Sequence, residues 1–282
     1  MDITSRKYTD FPFVPAPHRN LMADLVSPME NRLDSQLKPC TLPSDVQYYY
    51  KWELPWLALF QIRPYLFSGP SYLSLSAKVD FVLGSWIHSM LPTGGELNII
   101  RLSAYMDTST DSPNFLIELI QSSPTSLVFL LDLPPRKDLV LYPEYLNTFY
   151  ENTRLESLRQ TIEKLPEVQP YYSSALYVRC LASPTTTTIQ INTEGAGRME
   201  EIIKDHIHPV AKEVLGIWLD RCIGGRRNVD EAGKAYLEKR DRVIKTKCLE
   251  IVESDIGSLF PRLFGPDTAN RLLEAIREAY GE

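Results

Sequence analysis

Residues 114–121 read Asn114-Phe115-Leu116-Ile117-Glu118-Leu119-Ile120-Gln121, and a turn-forming segment, residues 122–126, follows this stretch. Successive side chains of a β-strand point to opposite faces, so the stretch would place Leu116, Glu118 and Ile120 on one face and apolar residues on the other. Neither face is polar. The sequence therefore predicts a strand that is covered on both sides, with Glu118 at least partly buried.

A buried carboxylate at position 118 has two physical outcomes. It finds a partner on a neighbouring strand, or it takes up a proton, because burial disfavours the charged form of an acid. The first outcome makes Glu118 a structural residue. The second makes it a proton donor beside a ligand, and the residues alone leave both open.

Further strands are expected around this stretch, which itself is predicted over 114–121. They lie near residues 79–90, 96–106, 127–133, 175–182 and 187–192. Turn signals at residues 92–95 and 122–126 predict hairpins between neighbours, and hairpins make a sheet antiparallel.

Helices are expected before, between and after these strands. An apolar stripe predicts a helix over 18–38, ended by Pro39. The other helices are expected over 143–164 with Pro143 in the first turn, 198–223, 229–253, and 267–280 capped by Asp267. Helices on both sides of a mainly antiparallel sheet predict an α/β fold, a three-layer α/β/α sandwich. We expect a single domain over residues 1–282, because a hydrophobic content of 44% suffices for one large core.

Composition and motifs argue against several function classes. The net charge of -6 argues against a general nucleic-acid-binding protein. Cys40, Cys180, Cys222 and Cys248 form no Cys-x-x-Cys pair, which argues against a zinc or iron–sulfur site and predicts buried, reduced thiols. No glycine-rich nucleotide loop follows a strand, and no Gly-x-Ser-x-Gly elbow is present, so neither a bound nicotinamide or flavin nor a serine hydrolase is expected.

The segment 48–76 is atypical. It is rich in aromatic residues and leucine, and Pro55, Pro64 and Pro70 interrupt it, so we do not expect it to supply a strand of the sheet. Two interpretations stay open. The segment is an exposed apolar surface for a partner or a membrane, or it is a translated intron in a mis-spliced gene.

Several blocks of the chain resemble red chlorophyll catabolite reductase of plants. The longer ones are residues 79–88, 113–123 and 131–141. The shorter ones are Met29-Glu30-Asn31-Arg32-Leu33, Leu165-Pro166-Glu167-Val168 and Phe260-Pro261-Arg262-Leu263-Phe264-Gly265. The blocks are collinear, and the resemblance covers residues 8–46 and 79–281.

The resemblance implies the three-layer fold of the ferredoxin-dependent bilin reductases. It also implies reduction of red chlorophyll catabolite, a linear tetrapyrrole, to primary fluorescent chlorophyll catabolite during chlorophyll breakdown in senescence. No cofactor is expected to be bound, and the electrons are expected from reduced ferredoxin. A homodimer, a contact with the upstream pheophorbide oxygenase and a place in the chloroplast stroma are implied as well. The N-terminus shows no transit peptide, so a complete chain of this sequence would stay in the cytoplasm.

The resemblance also assigns site residues. The two acids of the family that face the pigment fall on Glu118 and Asp255, and the position that biases which face of the substrate is protonated falls on Ala182. We expect Glu118 to donate the proton and Asp255 to orient the substrate or share that proton; without the resemblance, Asp255 is a solvated acid near a helix end. Trp86 and His88 are further candidate substrate contacts, although a histidine on a strand is more simply a structural residue.

The expected ferredoxin surface is the segment 226–247, which has more basic than acidic side chains. Its basic residues are Arg226, Arg227, Lys234, Lys239, Arg240, Arg242, Lys245 and Lys247. The alternative is an ordinary solvated helix. The alternative function for the whole chain is a non-catalytic protein that binds or scavenges linear tetrapyrroles on the same fold.

Overall fold

The computed structural model describes residues 15–33, 37–38, 48–51, 58–67, 79–90, 95–223 and 229–280. For residues 37–38, 48–51, 58–67, 252, 255–260, 263–264, 275 and 279–280 it describes the backbone alone.

The strands of the described residues form one nine-stranded sheet in which every pairing is antiparallel. They are β1 (Leu37–Lys38), β2 (Tyr48–Lys51), β3 (Ala58–Phe67), β4 (Val79–Met90), β5 (Glu96–Met106), β6 (Phe115–Ser123), β7 (Ser126–Asp132), β8 (Val168–Pro170) and β9 (Thr187–Asn192). The order across the sheet is β1-β3-β4-β5-β6-β7-β9-β8, and β2 also pairs with β3. The predicted hairpin partners, β4 with β5 and β6 with β7, are confirmed.

The helices lie before and after the central strands. They are α1 (Ala16–Leu33), α2 (Pro143–Leu146), α3 (Leu155–Glu163), α4 (Leu176–Leu181), α5 (Ala196–Ile202), α6 (His208–Trp218), α7 (Glu231–Phe264) and α8 (Pro266–Tyr280). Three π-helical turns adjoin them: Asn147–Glu151, Ile203–Ile207 and Leu219–Ile223. In the described ranges, no helix combines the length and the apolar character that a membrane span requires.

One face of the sheet forms the main hydrophobic core. Phe115, Ile117 and Leu119 of β6 are at most 1% exposed on this face. They belong to one cluster with buried residues of α1, α3, α5 and α6. Trp218 of α6 is also fully buried, and its Nε1 donates to the Pro113 carbonyl oxygen at 3.0 Å. Each large apolar side chain buried in this way contributes about 1.5–3 kcal/mol, so this face anchors the fold.

The second face of the sheet, which carries Glu118, meets α7. Phe81 of β4 lies on this face, and Lys245 of α7 places its Nζ 4.9 Å from the centre of the Phe81 ring. The same Nζ is 2.7 Å from a carboxylate oxygen of Asp80. The α/β class is confirmed, whereas the three-layer arrangement and the single domain stay predictions.

A buried arginine fixes α7 to the loops at one end of the sheet. The Arg136 side chain is fully buried, and its guanidinium donates to both carboxylate oxygens of Asp241 in α7. It also donates to the carbonyl oxygens of Asp107 and Thr110 at 2.8 and 2.6 Å. Arg240 adds a hydrogen bond to the Pro135 carbonyl oxygen at 2.9 Å. These bonds hold the first half of α7 in place beside the sheet.

The segment 48–76 corrects one prediction, because it does supply strands. β3 pairs with β4 from Ala58 opposite Ser89 to Leu66 opposite Phe81. On its other side, β3 pairs with β2 through residues 58–61 and with β1 through residues 66–67. Pro64 falls between these two stretches, so neither of the two pairings needs the N–H that proline lacks.

Residues 175–182 correct another prediction, because they form the helix α4 instead of a strand. Leu176 and Val178 alternate with polar residues as in a strand, but α4 has no buried residue, and Leu176 is 67% exposed. The alternation therefore did not reflect a buried face. Cys180, predicted to be buried, is exposed, whereas Cys222 is buried and Cys248 is half-buried; Cys40 lies outside the described residues.

Several helix bounds also differ from the predicted ones. The predicted helix 143–164 is broken after the turn Asn147–Glu151, and the Thr153 hydroxyl accepts from the Leu155 N–H at 3.3 Å where α3 begins. The first helix ends at Leu33, and Leu37–Lys38 belong to β1. α7 continues past residue 253 to Phe264, and α8 begins at Pro266, so Asp267 lies in its first turn and is not the cap.

Candidate active site

Glu118 lies in the middle of β6, directly opposite Arg101 of β5 and Leu130 of β7. One carboxylate oxygen of Glu118 is 3.9 Å from Nη1 of Arg101, which is longer than a direct hydrogen bond but within the range of an ion pair. The Arg101 side chain is 20% exposed and that of Glu118 is 23% exposed. Glu118 is thus partly buried, has a cationic neighbour and keeps access to the space above the sheet.

Apolar residues surround this ion pair on the same face. Leu116 and Ile120 flank Glu118 along β6, and all three are half-buried. Leu130, opposite Glu118, is half-buried as well. A floor in which apolar side chains surround the Glu118 carboxylate and the Arg101 guanidinium suits a flat, largely apolar ligand with few polar groups.

Residues of α4 and α7 lie close to this face. Burial raises the pKa of the Cys248 thiol in α7, and the positive charge of Arg101 opposes this rise. Burial also raises the pKa of Tyr177 in α4, with Cys248 among its electrostatic neighbours. Cys248 of α7 therefore interacts electrostatically with both Arg101 of β5 and Tyr177 of α4. This places α4 and α7 close to the second face of the sheet.

Asp132, which sequence reasoning did not single out, is the other acid on this face. It ends β7 two residues after Leu130, and it lies opposite Leu116 of β6. Asp132 is 5% exposed, and both of its carboxylate oxygens accept from Ser183: from the hydroxyl at 2.5 Å and from the N–H at 3.1 Å. Burial raises its pKa from 3.8 to about 6, and the hydrogen bonds from Ser183 oppose the rise.

Ala182 lies beside this acid. It is the exposed residue that ends α4, and Ser183, which follows it, is buried and bonded to Asp132. The hydrogen bonds from Ser183 to Asp132 therefore fix the backbone directly after Ala182, at the end of the sheet face that carries Glu118.

Trp86 and His88 lie on the opposite face of the sheet from Glu118. In β4, Trp86 pairs with Ile100 and His88 with Asn98, whereas Ser85 pairs with Arg101. Trp86 is 1% exposed in the main core, and His88 is buried with its Nδ1 2.8 Å from the Asn98 side-chain oxygen. The sheet separates both residues from Glu118, so the structure does not bring them together with it, and their contact with a substrate stays a prediction.

The structure does not test the role of Asp255. The residue belongs to α7, two turns after Cys248, but its side chain lies outside the described ones. Its proposed contact with the ligand stays a prediction.

The basic segment of α7 has many acidic partners. Lys234 contacts Glu231, Arg242 contacts Glu238, and Lys247 contacts Glu250, at 2.6, 3.0 and 2.6 Å. Arg240 is partly buried through its bond to Pro135, and Arg226 and Arg227 lie outside the described residues. The cationic excess at the surface is therefore smaller than the sequence implies.

Known proteins similar to this chain point to one family. A sequence model of the family described as red chlorophyll catabolite reductase (RCC reductase) matches residues 17–278. The chloroplastic red chlorophyll catabolite reductase of Arabidopsis thaliana is 46% identical over an alignment of 283 residues that covers 99% of this chain and 85% of that protein. Red chlorophyll catabolite reductase 1, chloroplastic, of Oryza sativa subsp. japonica is 36% identical over 277 residues, 95% of this chain and 79% of that protein.

A third relative and a solved structure agree. Red chlorophyll catabolite reductase of Hordeum vulgare is 42% identical over 205 residues, 72% of this chain and 98% of that protein. The crystal structure of phytochromobilin synthase from tomato in complex with biliverdin is similar with a TM-score of 0.67 and 15% identity, over 93% of this chain and 84% of that one. At this identity the likeness concerns the fold alone.

Proposed function

The chain belongs to the red chlorophyll catabolite reductase family, and from this premise we propose that it reduces red chlorophyll catabolite to primary fluorescent chlorophyll catabolite with electrons from reduced ferredoxin. Membership supports an oxidoreductase of chlorophyll catabolism. The names of the Arabidopsis and rice relatives support a chloroplast location, and the stroma is the proposed compartment.

The observation that carries the proposal is the Glu118–Arg101 pair in the apolar floor of the second face. Reducing one double bond of a conjugated pigment takes two electrons and two protons. The pigment itself can hold the radical between the two electron transfers, so an external one-electron donor suffices and no resident cofactor is needed. The protein's task is then to hold a flat apolar molecule and to deliver protons to chosen atoms.

Glu118 is the proposed donor of one proton. It is the acid at the centre of the floor, and its 23% exposed side chain can meet a ligand laid against β6. A positioned general acid typically contributes about a hundredfold to ten-thousandfold to a rate. Arg101, opposite on β5, is proposed to hold the Glu118 carboxylate in one orientation, which preserves the geometry that proton transfer needs.

The remaining site residues have proposed roles at the edge of this floor. Ala182 is a small residue next to the Asp132–Ser183 contact, and it leaves room for one pyrrole ring. Asp255 is proposed to orient the pigment from α7. Both assignments rest on the family resemblance, as do the homodimer and the contact with pheophorbide oxygenase.

Ferredoxin is the proposed electron donor, and α7 offers the surface. Lys239 and Arg242 are exposed on this helix, and Arg242 is 71% exposed despite its contact with Glu238. A cationic surface attracts an acidic partner and mainly speeds its association.

An anaerobic assay tests the proposal. Purified protein, the red pigment and chemically reduced ferredoxin should give loss of the red absorbance and appearance of a blue-fluorescent product. Pigment that binds but is never consumed would identify the non-catalytic binding protein instead. That alternative was suggested by the atypical segment 48–76, and the strand β3, which pairs with β4, removes this reason for it.

A further inference from the structure

Two acids stand next to each other on the second face of the sheet. Glu118 of β6 lies opposite Leu130 of β7, and Leu116 lies opposite Asp132. Asp132 is therefore the diagonal neighbour of Glu118, and such neighbours have α-carbons about 7–8 Å apart. A two-electron reduction consumes two protons, and this face holds two carboxyl groups at adjacent positions.

The surroundings of the two acids differ. Glu118 has the Arg101 guanidinium beside it, whereas Asp132 accepts hydrogen bonds from the neutral Ser183 hydroxyl and N–H, and the neutral Leu133 and Thr186 also oppose the rise in its pKa. Asp132 is also more buried than Glu118. Burial among neutral donors lets a carboxyl group keep its proton closer to neutral pH.

A chain of hydroxyl groups connects Asp132 with the floor of the site. The Thr186 hydroxyl is one of the neutral groups that oppose the rise in the pKa of Asp132, which places it near that carboxyl group, and its Oγ1 is 3.2 Å from Oγ1 of Thr188. Thr188 of β9 lies opposite Leu130, so it belongs to the same cross-strand row as Glu118. Hydroxyl groups donate and accept at once, and a proton can pass along them by successive exchange.

We propose that Asp132 supplies the second proton of the reduction and passes it through Thr186 and Thr188 to the pigment, while Glu118 supplies the first. This inference rests on the proposed function. Asp132 acts through its neighbours, so it is a positioning and proton-supplying residue and does not itself touch the substrate.

The step balances as follows. Two reduced iron–sulfur donors each lose one electron, and the double bond of the pigment gains both. One new C–H bond takes the Glu118 proton. The other takes the hydroxyl proton of Thr188, which regains one from Thr186, which regains one from Asp132. Both carboxylates are then protonated again from water.

The charged and titratable neighbours of Asp132 do not replace it in this role. Tyr150 donates its hydroxyl to the Leu133 carbonyl oxygen at 2.7 Å, and burial raises its pKa well above 10, so it stays neutral. Glu118 lies on β6, which pairs with the Asp132 strand β7, and Arg101 lies one strand further away on β5. Because burial raises the pKa of Asp132 to about 6, a pH limb near 6 in the rate is assigned to this residue.

Three variants test the inference in the anaerobic assay across pH 5 to 9. Asp132→Asn should lower kcat about tenfold to hundredfold with KM nearly unchanged, and it should remove the pH limb. Thr188→Val should lower kcat similarly while the infrared band of the protonated Asp132 carboxyl persists. Ser183→Ala should shift the limb to higher pH, because a hydrogen bond to the charged form is lost.

Thr185→Val is the matched control, since its hydroxyl contacts Ser183 at 3.2 Å and lies off the proposed chain. If Asp132→Asn fails to fold, Thr188→Val and Ser183→Ala still test the inference. If Thr188→Val has the parent kcat and Ser183→Ala does not shift the pH limb, the inference is overturned and the proposed function is unaffected. A parent protein that never consumes the pigment overturns both.

Discussion

Arg101 and Glu118 face each other across β5 and β6, with 3.9 Å between a guanidinium nitrogen and a carboxylate oxygen. Partly exposed ion pairs of this kind contribute only about 0.2–1 kcal/mol to stability. The pair also lies on the less covered face of the sheet. The small contribution to stability agrees with the proposal that Arg101 orients the Glu118 carboxyl group for proton transfer.

A double-mutant cycle with Arg101→Met and Glu118→Gln tests this explanation. The coupling in the free energy of unfolding should be below about 1 kcal/mol, measured by chemical denaturation. The coupling in kcat/KM should be larger, because Arg101 is proposed to orient the carboxyl group of Glu118 that donates the proton. A stability coupling above 2 kcal/mol with no coupling in kcat/KM would make the pair structural.

Arg136 is expected to be a stability residue. Its guanidinium is fully buried and holds Asp241 of α7, and removal of one partner from a buried pair costs about 3–5 kcal/mol. Arg136→Met should lower the free energy of unfolding by about that amount. The matched control, Arg154→Met, breaks an exposed pair with Glu213 and should cost less than about 1 kcal/mol. Equal effects of the two changes would contradict the anchoring role of Arg136.

The pH dependence of stability should contain two opposed contributions. Burial raises the pKa of Asp132 to about 6, so the native state binds more protons than the unfolded state between pH 4 and 6, and stability falls as pH rises there. Burial lowers the pKa of His18 from 6.5 to about 4, so the unfolded state binds more protons and stability rises over the same window. Each contribution is up to about 3 kcal/mol.

The two contributions can be separated by denaturation at pH 4 to 7. Asp132→Asn should leave a stability that rises with pH, and His18→Leu should leave one that falls. Neither ring nitrogen of His18 has a hydrogen-bond partner among the described residues, which is why burial acts on it alone. Identical slopes in the two variants would contradict both assignments.

Charge reversal on α7 tests the ferredoxin surface. Lys239→Glu with Arg242→Glu should raise the apparent KM for ferredoxin severalfold at low salt, and the difference should shrink as salt screens the charges. A control with the same change in net charge is Lys204→Glu with Arg154→Glu; both of these side chains are more than 70% exposed, Lys204 in the π-helical turn Ile203–Ile207 and Arg154 directly before α3. Equal KM values for the two double variants would contradict the proposal that α7 binds ferredoxin.

The sequence predicted the central strands well because their apolar patterns are long and flanked by turns. Alternation within β6 correctly separated Glu118 from Phe115, Ile117 and Leu119. It could not name Arg101 as the partner, because a shift of one residue in register would have brought Ile100 or Leu102 opposite Glu118. Register depends on contacts between strands, which a single strand's pattern does not contain.

Asp132 and α4 illustrate what a local pattern misses. The partner of Asp132, Ser183, is 51 residues away, and the bond forms only because β9 lies beside β7. The alternation in residues 176–181 is typical of a strand, but none of these residues is buried, so no sheet face stabilises that conformation. The local pattern also could not show that Trp86 and His88 lie on the opposite face from Glu118, because their face follows from the register of β4 with β5.

The most direct test of the central claim is the turnover of Glu118→Gln with reduced ferredoxin under anaerobic conditions. Glutamine keeps the size of the side chain but cannot supply the proton. We expect the variant to bind the red pigment with nearly the parent affinity and to form the blue-fluorescent product at least a hundredfold more slowly, in keeping with general-acid catalysis. Product formation at the parent rate would show that the proton comes from another group.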